Sequence, residues 1–156
     1  MSAAPPGVRV RRLGPGEVDG LRALNALFGR AFEDPKSYGG RPPDDAYLER
    51  LLARDGVAAL VAEVDGELAG GLTAYRLDKF EQARAEYYLY DLAVDEPFRR
   101  RGVATALIDQ LCALAATERA WVVFVQADHG DDAAIALYEG LGAREQVLHF
   151  DIAVRR

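Results

Sequence analysis

Three consecutive arginines followed by a glycine form the stretch richest in chemistry, Asp91-Leu-Ala-Val-Asp-Glu-Pro-Phe-Arg-Arg-Arg-Gly-Val-Ala104. A strand-like run ends at Val94, Pro97 breaks it, and Arg99, Arg100 and Arg101 lead into Gly102, where a helical pattern begins. Such a helix start presents unpaired backbone N–H groups and the positive end of the helix dipole, which together hold an anion. The guanidinium groups add charge, and a residue without a Cβ lets the backbone approach its ligand closely. The combination points to a diphosphate site. The bland alternative is an Arg-rich helix start turned to water, but charge alone does not bring the glycine and the strand–loop–helix context with it. Neither G-x-x-x-x-G-K-[ST] nor G-x-G-x-x-G occurs, which excludes a P-loop and a dinucleotide fingerprint.

Carboxylates form the second constellation. Asp91 stands three residues before Val94, while Asp128, Asp131 and Asp132 follow the next apolar run and Asp151 lies near the C-terminus. Asp131 and Asp132 have a structural explanation too, as good helix-start residues. His129 among these aspartates lacks regular ligand spacing and a second histidine nearby, so no metal is expected. The lone Cys112 excludes an internal disulfide and fits a reducing cytoplasm. Flanked by Leu111, Ala113 and Leu114, with no histidine close in sequence, it reads as a small buried hydrophobe. The formal net charge of -6 argues against nucleic-acid or anionic-membrane binding and is compatible with a cationic small molecule. No apolar run approaches the ~20 residues that span a bilayer, and the first residues lack the pattern of a signal peptide, so a cytoplasmic protein is expected.

The elements that must position these residues read as follows. Residues 1–7 are expected to be a disordered tail, and 8–156 a single domain without internal repeat or linker. Val8–Leu13 alternates as a strand; Val18, Leu21, Leu24, Phe28 and Phe32 mark one helix face. Glu33–Pro43 is a Gly/Pro-rich loop, and Asp44 caps a short helix burying Tyr47, Leu48, Leu51 and Leu52. Strands Val57–Val64 and Glu67–Leu77 meet at Asp65-Gly66, the favoured two-residue hairpin turn. Glu86–Val94 is a further strand, and Val103, Leu107, Leu111 and Leu114 mark a long helix ending near Arg119. Trp121–Gln126, mostly apolar, reads as a buried central strand. Asp131 caps a last helix (Ile135, Tyr138, Leu141) closed by Gly142, and Val147–Val154 supplies a final strand. The order β-α-α-β-β-β-α-β-α-β implies an α+β fold with a mixed sheet flanked by helices, not a doubly wound one.

On these motifs the sequence resembles the GNAT superfamily of N-acetyltransferases. Its signature R/Q-x-x-G-x-G/A stands as Arg99-Arg-Arg-Gly102-Val-Ala104, and its A-x-x-L-Y-x-x-L-G element as Ala134-Ile-Ala-Leu-Tyr138-Glu-Gly-Leu141-Gly142. The resemblance implies a GNAT fold, with a mostly antiparallel mixed sheet of six to seven strands and about four helices. It also implies acetyl-CoA as cofactor. The backbone of Arg101 to Ala104, flanked by Arg99, Arg100 and Thr105, would bind the pyrophosphate. Pantetheine would lie against Leu92, Ala93 and Val94, with the Val94 N–H aimed at the thioester carbonyl, where negative charge builds during attack. Tyr138 is the implied proton donor to the departing thiolate, though an aromatic on a helix's core face is the structural alternative. Asp131, where many members have Asn, and Ala134 complete the implied cofactor contacts.

More narrowly, several segments are similar to the type I aminoglycoside 3-N-acetyltransferases, the gentamicin and fortimicin modifying enzymes. They include Phe28-Gly-Arg-Ala-Phe32, Pro43-Asp-Asp-Ala-Tyr47-Leu48, Lys79-Phe80-Glu81-Gln82, Tyr90-Asp91-Leu-Ala-Val94, Val125-Gln-Ala-Asp128-His-Gly-Asp131-Asp132 and His149-Phe-Asp151. This implies direct acetyl transfer to the 3-amino group of a small polycationic substrate, gripped by Glu33, Asp34, Tyr90, Asp91, Asp128, Asp131, Asp132 and Asp151. An ammonium must lose a proton before it attacks, and Asp91 is the chosen base, with Glu86 and Tyr90 as neighbours that could orient a water. An Asp91 that only grips positive charge is the alternative. Two other readings stand beside this one: a GNAT enzyme acting on a polyamine or peptide N-terminus, and a non-catalytic acyl-CoA sensor. The sequence does not set the oligomeric state, although a homodimer would suit a family whose members often pair.

Overall fold

The computed structural model describes residues 4–156. Its contacts gather into two units, one ending at Gln126 and one running from Ala127 to Arg156. The first unit holds five strands, β1 (Val8–Arg12), β2 (Val57–Val64), β3 (Glu67–Asp78), β4 (Ala85–Val94) and β5 (Ala120–Val125), in the order β1-β2-β3-β4-β5. The first four pair antiparallel and β4 pairs with β5 parallel, giving the mixed, mostly antiparallel α+β sheet expected for a GNAT fold. Four helices belong to the same unit: α1 (Val18–Ala31), α2 (Pro35–Gly39), α3 (Asp45–Leu52) and α4 (Val103–Thr117).

Local chemistry explains these elements. On α1 the spacing of Val18, Leu21, Leu24 and Phe28 builds one buried face, which packs with Leu48 and Leu52 of α3 and with Ala59, Val61 and Ala93 of the sheet. This close packing requires Gly71 on β3, where a Cβ would stand 2.4 Å from Leu24 Cδ1 and 2.7 Å from the Leu60 carbonyl. The β2–β3 hairpin turns through Asp65 (φ 53) and Gly66 (φ 83), two left-handed residues as a tight hairpin turn demands. Asp44 caps α3 by accepting from Tyr47 N at 2.8 Å. On α4, Val103, Leu107, Leu111 and Ala115 are buried.

Several expectations are corrected. The Glu33–Pro43 loop contains α2, a fifth helix, started by Asp34 as cap and Pro35 in the first turn. Trp121–Gln126 does not form a buried central strand: β5 is the sheet's edge, with Trp121 and Val122 exposed. Val147–Val154 forms no strand, so among the described residues the sheet has five strands and not six or seven. Cys112 and Tyr47 are exposed, because each falls on a helix face that nothing in the first unit covers. Of the tail expected to lack structure, residues 1–3 lie outside the described residues, while Val8 N donates to the Pro5 carbonyl at 3.0 Å and closes a turn.

The second unit holds α5 (Asp132–Glu139) and a long irregular segment to Arg156. Asp131 caps α5 as expected, accepting from Ala134 N at 3.1 Å, and Gly142 N donates to the Tyr138 carbonyl at 2.9 Å. No helix among the described residues is long and apolar enough to cross a membrane.

Candidate active site

The site in the first unit is organised by a bulge in β4. Pairing with β3 runs Ala74↔Leu89 and then Thr73↔Asp91, leaving Tyr90 as an extra residue on β4. The parallel ladder with β5 stops at Leu89↔Val125, so β4 continues from Tyr90 to Val94 with no strand beside its outer edge. Asp95 N donates to the Ala69 carbonyl at 2.8 Å, continuing the register Gly70↔Val94 and Gly71↔Ala93. Antiparallel alternation then turns the amides of Ala93 and Asp95 toward β3 and those of Leu92 and Val94 outward, to the free edge. Of the three residues expected to contact pantetheine, Leu92 and Val94 therefore offer donors, while Ala93 spends its amide on the sheet.

Beyond Val94 the chain makes a short 3-10 turn (Glu96–Phe98) and enters α4 through Arg100 (φ 60) and Gly102 (φ 76). Gly102 occupies the cap position and no side chain caps α4; its first turn carries no acidic residue. The amides of Val103, Ala104 and Thr105 thus have neither a side-chain acceptor nor a carboxylate competing with an incoming anion. The arginines surround this turn: Arg99 Nε donates to the Val94 carbonyl at 3.2 Å, and Arg101 lies 5.8 Å over the Phe98 ring. Left-handed backbone, uncapped amides and guanidinium groups form a donor set that fits a diphosphate. Pro5 lies against this turn, since a Cβ on Gly102 would come within 2.7 Å of Pro5 Cγ.

Asp91 follows the bulge and faces a cavity of about 400 Å³ shared by α1, α2, α3, β3 and β4. Its two oxygens accept hydrogen bonds from Tyr38 Oη (2.7 Å) and Thr73 Oγ1 (2.8 Å). A carboxylate offers about four lone-pair directions, so two donors fix its orientation and leave room for an ammonium or a water. Tyr38 is held in turn by Asn25 of α1, whose Nδ2 donates to the Tyr38 carbonyl at 2.6 Å. Burial pushes the Tyr38 phenol well above its ordinary value, helped by the hydrogen bond to Asp91 and by its charge, so the hydroxyl remains a donor. Beside Asp91 stands an aromatic wall: Tyr90 meets Tyr75 and Tyr88 edge-on at 5.8 and 5.3 Å, and Tyr88 stacks on Phe124 at 4.7 Å. Aromatic faces next to a carboxylate suit a cationic ligand.

The remaining first-unit residues are placed differently. Asp34 is partly exposed and already serves as the α2 cap, its pKa lowered by the side chain and backbone of Ser37. Glu33 is exposed in a left-handed conformation (φ 54). Glu86 is not brought to Asp91: it sits five residues away, roughly 15 Å along the strand, and pairs with Arg84 (3.5 Å) and Lys79 (3.9 Å). Sequence reasoning missed Tyr38, Thr73, Tyr75 and Asn25. The one signal for Tyr38 was an aromatic standing alone in a Gly/Pro-rich stretch.

In the second unit, Asp128, Asp131 and Asp132 gather at the start of α5, where Asp131 N donates to the Asp128 carbonyl at 3.2 Å. The Ala134 amide is engaged by Asp131 and is not free for a cofactor. Asp151 is exposed and pairs with His149 at 3.0 Å. Tyr138 is half-buried, and burial followed by the charge of Asp131 raises its pKa, so its hydroxyl keeps its proton. Among the described residues no group of three or more His, Cys, Asp or Glu is placed to hold a metal.

The family model described as Acetyltransferase (GNAT) family matches residues 21–143. A crystal structure of an aminoglycoside acetyltransferase from an uncultured soil metagenomic sample superposes with TM-score 0.93 at 52% identity, covering 99% of this chain and 100% of that one. A second aminoglycoside acetyltransferase from such a sample, in complex with sisomicin, gives 0.88 at 30% identity over 96% of this chain and 97% of that one. The mycothiol acetyltransferase of Clavibacter michiganensis subsp. michiganensis (strain NCPPB 382) is 32% identical over 97% of this chain and 46% of its own length. The chain spans less than half the length of the curated relatives it matches.

Proposed function

The chain belongs to the GNAT acetyltransferase family, and we propose that it acetylates an amino group of an aminoglycoside, the 3-amino group being the acceptor. The observation that carries this reading is Asp91: a carboxylate fixed by Tyr38 and Thr73 beside an aromatic wall, three residues from the outward amide of Val94. Likeness to two aminoglycoside acetyltransferases, one with sisomicin bound, supports the choice of acceptor.

Bound acetyl-CoA supplies an acetyl thioester. The amides from Arg101 to Ala104, with Arg99, Arg100, Arg101 and Thr105 around them, would hold its pyrophosphate. Leu92 and Val94 offer donors from the free edge of β4, and the Val94 N–H would stabilise the thioester oxygen on which negative charge develops. Asp91, with Tyr90 beside it, would accept a proton from the acceptor's ammonium, directly or through water, and so free the amine to attack; for the second-unit aspartates Asp128, Asp131, Asp132 and Asp151 the family resemblance implies a role in attracting the acceptor's other charged groups. Tyr138, whose raised pKa keeps its hydroxyl protonated, has the role of proton donor to the thiolate implied by the family resemblance.

Mass spectrometry after incubation with acetyl-CoA and, separately, sisomicin, gentamicin, fortimicin and spermidine tests the proposal. A gain of one acetyl on the aminoglycosides is expected, with NMR locating it at the 3-amino group. Acetylation of spermidine alone would move the function to polyamines, and no turnover with any amine would favour an acyl-CoA sensor.

A further inference from the structure

Three aromatic side chains stand in a row across the sheet of the first unit because the register puts them there. Tyr75 of β3 lies opposite Tyr88 of β4, and Tyr88 lies beside Phe124 of β5, so all three share a face. Tyr90, two residues beyond Tyr88 and itself the extra residue of the bulge, joins them. The tyrosine rings make a corner and not a stack: Tyr90 meets Tyr75 at 5.8 Å and 83°, and Tyr88 at 5.3 Å and 65°. One wall of the corner is held firmly. Tyr88 lies flat on Phe124 (4.7 Å, 12°), and its hydroxyl donates to Gln126 Oε1 at 2.7 Å. Tyr90, by contrast, is 62% exposed.

Asp91 is the next residue, and its charge reaches these rings. Burial raises the phenol pKa of Tyr75 and Tyr88; the charge of Asp91 adds to it at Tyr75, and Tyr90 and then Asp91 add to it at Tyr88. The corner takes no cation from the protein itself. Among the described residues the arginine–ring contacts fall on Tyr47, Phe98 and Trp121, none of them in this group.

Such a corner has a definite chemical preference. A ring face attracts a cation through its quadrupole but offers no lone pair for a hydrogen bond. A primary ammonium carries three donors and holds its water tightly, so it gains little by exchanging that water for ring faces. An ammonium whose hydrogens are replaced by alkyl groups loses no donor there and brings apolar surface to the rings. Aromatic cages recognise quaternary ammonium ions on this ground.

We propose that Tyr75, Tyr88 and Tyr90 form a subsite for an N-alkylated ammonium group, beside the Asp91 oxygens that receive the amine to be acetylated. A ligand with both kinds of nitrogen rests the alkylated one in the corner while its primary amine reaches Asp91. The subsite stands on the rings and the neighbouring charge alone; its service to acceptor binding rests on the reading given under Proposed function.

Tetramethylammonium is a suitable probe, since a nitrogen bearing four alkyl groups cannot be acetylated. Saturation-transfer NMR on the full chain compares it with methylammonium, both as chlorides at equal ionic strength. Tetramethylammonium should bind saturably and about 3- to 10-fold more tightly, the worth of one or two ring contacts. Tyr90→Leu should weaken it by a similar factor, and Tyr90→Phe, which keeps the ring, should bind it as the wild type does. Equal binding of the two cations would overturn the proposal and leave the charge of Asp91 as the only attraction. So would a Tyr90→Leu variant that binds tetramethylammonium unchanged. In steady-state assays tetramethylammonium should raise the KM for sisomicin and leave kcat unchanged; a lowered kcat with unchanged KM would overturn the link to the acceptor. If sisomicin is not acetylated at all, the acceptor reading fails, while the NMR measurements still decide the subsite.

Discussion

Replacing Asp91 by Asn separates a proton acceptor from a charge that merely holds the substrate. The substitution keeps the size of the side chain, and its amide oxygen still accepts from one of the two hydroxyls that orient Asp91, Tyr38 at 2.7 Å or Thr73 at 2.8 Å. The amide nitrogen faces the other hydroxyl, which can rotate to accept. The structural loss is then one charge-assisted bond made neutral, about 1–2 kcal/mol, or a fall in Tm of about 2–4 °C per kcal/mol in a chain of this length. The chemical loss is larger: removing a general base costs roughly 10²–10⁴ in rate, which is about 2.7–5.5 kcal/mol on the barrier. With saturating sisomicin and acetyl-CoA, thiol release should fall by at least ~100-fold at neutral pH. The deficit should narrow at alkaline pH, where more of the amine arrives already deprotonated. Tyr38→Phe is the control for positioning, because it leaves the carboxylate in place with Thr73 as its one remaining anchor. It should lower kcat by about 10-fold or less, within the worth of one such bond, and leave the pH profile unchanged. An Asp91→Asn enzyme with raised KM and wild-type kcat at every pH would refute the base role and leave Asp91 as a grip.

Gly102→Asp should abolish CoA binding in calorimetry, since it places negative charge against the pyrophosphate; Gly102→Ala, which brings only the left-handed strain (φ 76) and the approach to Pro5, should cost about 1–2 kcal/mol of stability. Tyr138→Phe should lower kcat by roughly 100-fold with CoA affinity unchanged, and because burial and Asp131 raise the Tyr138 pKa, the wild-type rate should show no alkaline loss as pH passes the ordinary tyrosine value. Stability should fall in alkaline solution on account of Tyr87, a fully buried residue whose hydroxyl donates to Glu118 at 2.6 Å and whose pKa is raised by burial and by that bond. Its contribution is complete below the unfolded tyrosine pKa, about 10, and is lost as pH rises from there toward the folded value; Tyr87→Phe should flatten that decline in urea titrations.

Much of the fold was legible because its causes are local. The helix faces of α1 and α4 follow from residue spacing, and the β2–β3 hairpin from the Asp65-Gly66 pair. Helix α2 was not legible, because five residues give no periodicity to read and its start, Asp34-Pro35, also suits a loop. The status of β5 was misread for a different reason. An apolar run records that a strand is to be covered, and it cannot say whether the covering strand comes from its own sheet or from elsewhere. Cys112 and Tyr47 failed likewise, since burial on a helix depends on what packs against each face.

The diphosphate turn could be read from sequence because arginine, glycine and helix start are contiguous. Asp91 could be picked out, but not its partners, which come from 53 residues upstream on α2 and 18 upstream on β3. The feature that makes Asp91 a site residue is less visible still. Tyr87 and Asp91 are separated by an even number of residues, and in an uninterrupted strand they would share a face. Tyr87 reaches Glu118 at the end of α4, whereas Asp91 reaches Tyr38 on α2 and faces the cavity bounded by α1. The extra residue at Tyr90 reverses the alternation between them. Were the same sequence paired in unbroken register, Asp91 would turn toward the side on which Tyr87 is buried, as an unsolvated carboxylate, and the cavity would lose its charge. The pairing of β4 with β5 stops at Leu89↔Val125, just before that residue, and leaves the edge from which Leu92 and Val94 donate. The bulge thus turns Asp91 into the acceptor site just where the donor edge begins, and nothing in the run Glu86-Tyr-Tyr-Leu-Tyr90 announces where it will fall.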